Sequence, residues 1–456
     1  VDTADAEAAD AAGGTLASDG LTLELVEDPS TDEGFTPRRL TATGAVRAAT
    51  EGRWLEAEEL SADLAPDADG NTSVERLLAA GEVRFEDGEG ARGLAERLEA
   101  RPGEETATLF GSRTRVAEVE RDGARVTGPR IDLDGRSRSG EVLGAGTFSA
   151  RREPAPGETP DAEPALAITA RWNERMVFDD AAGDLRLYGG VEALHTPDGL
   201  TRDRVTGDRL LVRLAPASEG EASDGERQVL EARVLAGDAP DAVAEVEARR
   251  YDPLDPERLE QLLFLRSRDI KADNVVGTLV APGPGRLLVL DRRAAEADEG
   301  PERAGVLGGD ARGQALFTWQ GGMALDREAS EAVLTQDVRV THQRASDGLA
   351  TVLRADRVIA VVSGLEGEGG EAGRGELERA EALGSVYVRS GDKELVADRA
   401  LYDAGGGVVL AEAVGDGLVT LLDPARASPV QARRMRWDLV TDRITVDEPA
   451  PVVGPR

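Results

Sequence analysis

The chain holds two histidines, His195 and His342, the side chains best suited to titrate or to hydrogen-bond a ligand near neutral pH. Both occupy the same place in a repeated phrase, because Trp172 to His195 aligns with Trp319 to His342 at a constant offset (319 − 172 = 342 − 195 = 147). Equivalent imidazoles suit a repeated contact to a ligand head group, such as a phosphate or a sugar. An internal repeat would equally copy two structural residues, since each histidine ends an apolar strand face that it can cap. Two histidines in separate repeats cannot build a local two-histidine metal site, and a chain with no cysteine lacks the other usual zinc donors. No metal or cofactor is expected.

Other constellations carry less. No Gly-x-Ser-x-Gly elbow is present, and two histidines leave little room for a Ser-His-Asp arrangement. Adjacent acids such as Asp179-Asp180 are unremarkable in a chain with 88 carboxylates. Gly88-Glu89-Gly90-Ala91-Arg92-Gly93 matches the dinucleotide fingerprint on paper. That loop requires a helix packed on a parallel sheet, whereas this segment reads as the turn of a hairpin. The chain is therefore read as non-enzymatic.

The elements that must position these residues follow from repetition. Every methionine falls in one phrase: Met176-Val177-Phe178-Asp179, Met323-Ala324-Leu325-Asp326 and Met435-Arg436-Trp437-Asp438. Upstream, Ile131 to Gly146 aligns with Ile270 to Gly285, carrying Gly144-Ala145-Gly146 onto Gly283-Pro284-Gly285; a shorter third version starts at Gly415-Asp416-Gly417. A smaller motif of small residue, acid, polar residue and aliphatic or small residue recurs at Ala57-Glu58-Glu59-Leu60, Ala95-Glu96-Arg97-Leu98, Gly207-Asp208-Arg209-Leu210, Ala272-Asp273-Asn274-Val275, Ala355-Asp356-Arg357-Val358 and Ala397-Asp398-Arg399-Ala400. Gly44-Ala45-Val46 and Gly384-Ser385-Val386 each precede such a motif at the distance of a strand, a turn and a returning strand.

Leu185, Leu187, Gly189, Val191, Ala193 and His195 alternate with polar or exposed-type residues, and Ala332, Leu334, Gln336, Val338, Val340 and His342 repeat the pattern, which has the period of a strand. The fold class is an all-β, antiparallel array of about three modules, at residues 35–160, 161–300 and 301–456, behind a disordered acidic leader at 1–34. Asp255-Pro256-Glu257 followed by Leu259, Leu262 and Leu263 carries a helix start signal and apolar spacing of about two turns, which suits a short helix or helical turn. The acidic, glycine-rich stretches Pro216 to Gly225, Ala294 to Gly305 and Gly364 to Gly375 read as loops.

Composition narrows the function classes. With 88 acidic against 54 basic residues the formal charge is −34, which disfavours nucleic acid and anionic membrane surfaces. Lys271 and Lys393 are the only lysines. No run of about 18 apolar residues is present to span a bilayer as a helix. Aromatics are 3% of the chain, so the interior is built of Leu, Val, Ala and Ile. Trp172, Met176, Phe178, Trp319 and Met323 either fill that interior or line an open apolar channel.

These phrases carry a resemblance. A Gly-x-Val phrase followed by an Ala-Asp-x-aliphatic strand, as in Gly384-Ser385-Val386 with Leu395-Val396-Ala397-Asp398-Arg399, is similar to the OstA-like family of lipopolysaccharide transport, comprising LptA, LptC and the periplasmic part of LptD. The similarity runs over most of residues 40 to 450. It implies an elongated β-jellyroll whose open, V-shaped groove holds acyl chains, a periplasmic location after removal of a signal peptide or anchor, passage of lipid toward the outer membrane, and edge-strand stacking with other β-jellyroll transport proteins. The partner it implies is lipopolysaccharide or a related amphiphilic lipid. Groove candidates are then Trp172, Met176, Phe178, Leu187, Val191, Trp319, Met323, Leu325, Leu334, Val338 and Val340, with His195 and His342 as head-group contacts. The competing class is a structural surface β-solenoid or adhesin-like protein whose packed interior binds nothing.

Overall fold

A pair of left-handed residues in the middle of a long strand is the recurring device of this fold. In the strand Phe35–Thr50, Gly44 and Ala45 take φ of 75° and 42°, and the ladder to Arg53–Pro66 skips from Thr43 to Val46. Such an interruption bends a strand sharply. Gly81-Glu82, Gly189-Gly190, Gln336-Asp337 and Gly384-Ser385 repeat the pair of positive φ angles in four further strands. Because side chains two or four residues apart share a face, the bend buries both flanks of the corner: Ala42 and Val46, Leu187 and Val191, Leu334 and Val338 are all core residues.

The computed structural model describes residues 14–27, 35–50, 52–66, 72–151, 166–216, 228–292, 313–344, 350–363, 376–403, 407–426, 428–439 and 441–449. Among the described residues it is all-β, with 32 strands, every paired register antiparallel, one 3-10 turn, Pro102–Glu104, and no α-helix. No helix among the described residues is long and apolar enough to cross a membrane. The chain divides into two compact units, Val1–His195 with Arg209–Gln228, and Thr196–Asp208 with Val229–Arg456.

In the first unit the corners separate two sheet arms, and inward-facing residues pair across each arm in unbroken rows. One arm carries Leu21, Ala42, Leu60, Ala79, Leu98, Leu109, Ile131, Val142, Met176 and Leu187, each directly opposite the next. The other carries Leu16, Ala48, Leu55, Phe85, Gly93, Val119, Val126, Phe148, Ala170 and Ala193. The second unit repeats the plan. Its first arm runs Ala281, Met323, Leu334, Val358, Ala382, Ala400, Ala411, Met435 and Val446. Its second arm runs Val246, Leu265, Leu287, Phe317, Val340, Leu353, Val388, Leu395, Leu421 and Val430. Each Leu or Val fully withdrawn from water in these rows contributes roughly 1.5–3 kcal/mol.

Two sequence expectations change. Asp255–Ser267 is a strand, paired with Ala244–Asp252 and Gly285–Asp291, and no helix forms there. The residues that resemble a helix cap serve the turn instead, since Asp252 Oδ1 accepts from the Leu254 N–H and Asp255 Oδ1 from the Glu257 N–H. Burial of Leu265 in the apolar row outweighs a local preference of a few tenths of a kcal/mol per residue. Within the segment read as a leader, Thr15–Ala17 and Gly20–Glu27 are strands laddered onto Phe35–Thr50, with Leu16 and Leu21 in the two apolar rows. Residues 1–13 and 28–34 and, apart from Pro216, the three acidic loop segments lie outside the described residues.

The small-residue and acid motif acquires a physical role at the corners. A Cβ added to Gly384 would lie 2.3 Å from Oδ2 of Asp356, so the motif's acid fills the space that the neighbouring corner glycine leaves. Gly384→Val should therefore lower the stability of its unit by roughly 2 kcal/mol, through left-handed strain and this clash. The urea midpoint of unfolding reads it, and a midpoint equal to wild type would contradict the role of the corner.

Candidate functional site

The repeated phrases converge on the interior between the two arms of each unit. Trp172 and Trp319 lie at the corner, where the indole N–H donates to the carbonyl of Gly144 (3.1 Å) and of Gly283 (2.9 Å). A Cβ on Gly285 would approach Cζ2 of Trp319 to 2.5 Å, and Gly146 stands in the same relation to Trp172. The aligned Gly-x-Gly phrases are thus explained: one glycine receives the indole N–H and the other makes room for its ring. Trp172, Met176, Leu187, Val191, Trp319, Met323, Leu334 and Val338 are all buried here, Val191 at 2% exposure and Val338 at 0%.

Further from the corner the interior loosens. Phe178 and Leu325 sit one row out on the first arms, half-buried, opposite Leu185 and Ala332. Val340 holds the corresponding place on the second arm of the second unit and is buried. One row beyond are the histidines, His195 opposite Ile168 and His342 opposite Ala315, so their sequence equivalence is also a structural one. In this outer row Ile168 and Leu263 are each 38% exposed although they continue the inward-facing apolar pattern. Burial therefore falls from corner to mouth on the strands of Ile168 and Leu263, while His342 in the same outer row stays buried. None of the inward rows traced here carries a carboxylate.

The acids lie elsewhere. Asp179, Asp326 and Asp438, the last residue of each methionine phrase, accept the N–H of the residue three ahead (Ala182 2.9 Å, Ala329 2.9 Å, Thr441 2.8 Å) and so initiate the turn that follows. Asp180 pairs with Arg138, so the adjacent carboxylates Asp179-Asp180 are engaged in a turn and an ion pair. Residues 87–90 form a hairpin turn closed by Asp87 N–H to Ala91 O (2.9 Å), the geometry expected of the glycine-rich phrase there. Outward rows carry Arg–carboxylate pairs such as Arg39–Asp63 (2.8 Å) and Arg233–Asp269 (2.6 Å), which neutralise part of the acidic charge on the solvent side. Among the described residues no group of three or more His, Asp or Glu is placed to hold a metal ion.

Sequence reasoning missed a polar continuation of the row that contains His342. Thr351, Ser390 and Lys393 follow it on three adjacent strands, facing inward. Lys393 Nζ forms an ion pair with Asp442, whose other oxygen accepts the Trp437 indole N–H (3.1 Å). The hydrogen bond from Lys393, with that from Trp437, holds the Asp442 carboxyl below its usual range against the opposing effect of burial. The rarity of lysine was the available signal, since Lys393 is one of two.

In comparisons of the whole chain with protein-family models and with curated proteins, nothing matched.

The gradient of burial makes a differential prediction. Val338→Asp places an unpaired carboxylate at the corner and should cost on the order of 3–5 kcal/mol, unfolding its unit. Ile168→Asp, at the mouth, should cost only about 1 kcal/mol. Thermal unfolding of the two variants measures both, and equal losses would contradict the gradient.

Proposed function

We propose that this protein carries amphiphilic lipid in the manner of the OstA-like lipopolysaccharide-transport proteins. Each unit is then a β-jellyroll whose two arms hold acyl chains between them, and the chain works in the periplasm, passing lipopolysaccharide or a related lipid toward the outer membrane. One observation carries the reading: inward rows of apolar residues run across about ten strands per arm, buried at the corner and partly exposed at the mouth, where Ile168 and Leu263 meet solvent. An acyl chain laid along such a row would gain roughly 0.8 kcal/mol for each methylene withdrawn from water. Apart from Asp442, which pairs with Lys393 at the mouth, carboxylates that would repel an anionic lipid head group are absent from the inward rows described above.

The ends of the sheet support a stacked arrangement with other jellyroll proteins. Gly20–Glu27 ladders onto Phe35–Thr50 and leaves its other edge unladdered among the described residues, and Arg443–Pro449 does the same beside Val430–Asp438. Unpaired edge N–H and C=O groups template the addition of a further strand. Leu21, Leu23 and Leu25, at 41–54% exposure, offer apolar side chains at the first of these edges.

A second reading, a structural array with a packed interior, is favoured by the full burial of Val191 and Val338. Mass spectrometry of the protein purified without detergent separates the two. The carrier reading expects a co-purifying amphiphile that is released on unfolding. Photo-crosslinking residues at Ile168 and Leu263 should label that lipid in cells, while residues at Glu192 and Arg339, on outward positions, should not. Equal labelling from both sets, or none from either in folded protein, leaves only the structural array.

A further inference from the structure

The second arm of the second unit ends in a run of polar side chains. Beyond the apolar residues Val340, Leu353, Val388 and Leu395, the next inward position on the same four strands is occupied by His342, Thr351, Ser390 and Lys393, each directly opposite the next. His342 and Thr351 are buried, Thr351 Oγ1 and Ser390 Oγ are 3.2 Å apart, and the Lys393 side chain is only 15% exposed. Withdrawing hydroxyls and an ammonium from water is costly unless something compensates. On the other side of His342 the same row continues as Ala315, Val289 and Leu263, and the matching row of the first unit runs His195, Ile168, Ala150 and Ala124, so the hydroxyls and the ammonium are confined to the side that Thr351 begins.

Lys393 shows what compensates. Its ammonium meets the carboxylate of Asp442, which lies 49 residues away in the turn that follows the first-arm end of the strand Val430–Asp438. The pair therefore spans the mouth from one arm to the other. Asp442 is 62% exposed in its side chain and takes a left-handed φ of 53°, whereas Lys393 is nearly enclosed. The anion is thus the outer and the cation the inner partner.

We propose that His342, Thr351, Ser390 and Lys393 form the receptor for a single anionic head group, a carboxylate or phosphate, on an amphiphile whose acyl chain lies along the apolar row beside them. The Asp442 carboxylate holds the same place on Lys393 and is displaced toward solvent when the ligand enters. This inference rests on the carrier reading given above. An ammonium, two hydroxyls and an imidazole edge supply several donors to one anion, and charge-assisted bonds of this kind are about twice as strong as neutral ones. The ammonium at the end of this row disfavours a metal cation.

The test uses the full chain and two fluorescent probes, cis-parinaric acid and its methyl ester, which share an acyl chain and differ in head-group charge. Wild type should bind the acid roughly tenfold tighter than the ester, the difference expected of one charge-assisted contact. Lys393→Met should erase the preference and leave ester binding unchanged, and Lys393→Arg should retain most of it. Asp442→Asn should strengthen acid binding severalfold by removing the competing carboxylate, and Thr351→Val should weaken the acid alone. Inorganic phosphate should displace neither probe at concentrations comparable to them; if it displaces the acid, the site reads a free anion and the amphiphile assignment is wrong. If both probes bind and Lys393→Met discriminates as wild type does, the head-group receptor is refuted while the carrier stands. If neither probe binds folded wild type, the carrier reading fails and the inference with it.

Discussion

Everything in the structure depends on the strand corner. A β-strand in a twisted sheet buries one face, and a single flat array of this length would leave that face in water. Two consecutive left-handed residues fold the strand so that the positions on either side, such as Leu334 and Val338, are buried together. The cost is strain on the order of 1–3 kcal/mol for each residue other than glycine held there, as at Gln336 and Asp337. Burial of the two flanking residues is of comparable or larger size, and long strands such as Glu331–Arg344, Ala350–Ser363 and Glu376–Ser390 reinforce one another through shared register.

Once the corners exist, the division of labour between faces follows from side-chain size and charge. Trp172, Trp319 and the methionines fill the corner, because only large side chains reach across the apex from strands that diverge from it. Leucine, valine and alanine line the diverging arms. Arginine and the carboxylates go outward, where pairs such as Arg399 with Glu381 and Glu412 bridge neighbouring strands at modest energetic value. The acidic chain is thereby compatible with an interior free of carboxylate along its traced rows, and Lys393 becomes a rare inward cation.

Much of this was legible in the residues. The equal spacing of Trp172 to His195 and Trp319 to His342 reported two copies of one arrangement, and the copies coincide down to the indole hydrogen bonds. The Gly-x-Val phrases marked hairpins whose registers, Val46 opposite Ala57 and Val386 opposite Ala397, have the expected form. Period-two patterns exposed the strands. What they could not expose was the bend within a strand, because Gln336-Asp337 adopts it without glycine and alternation continues through it. Asp255 and Pro256 misled for a related reason: a local capping signal is worth about 1 kcal/mol, less than burial of Leu265 and the ladder on both sides. The short apolar alternation of Leu21, Leu23 and Leu25 was masked by the acidic residues around it. Thr351 and Ser390 gave no signal, since nothing in an isolated hydroxyl reveals that its strand turns it inward beside a lysine.

The central claim is that an acyl chain enters between the arms. Three tryptophans, Trp172, Trp319 and Trp437, lie in that interior, and Trp54 stands on the outward face with its indole N–H on Glu86 (3.2 Å). Titrating the Trp54→Phe variant with a fatty acid that carries a nitroxide quencher on its chain reads proximity to the interior directly. The account predicts saturable quenching of the remaining emission, reversed by an unlabelled fatty acid. Emission that stays constant across the titration, with the protein folded, would contradict it.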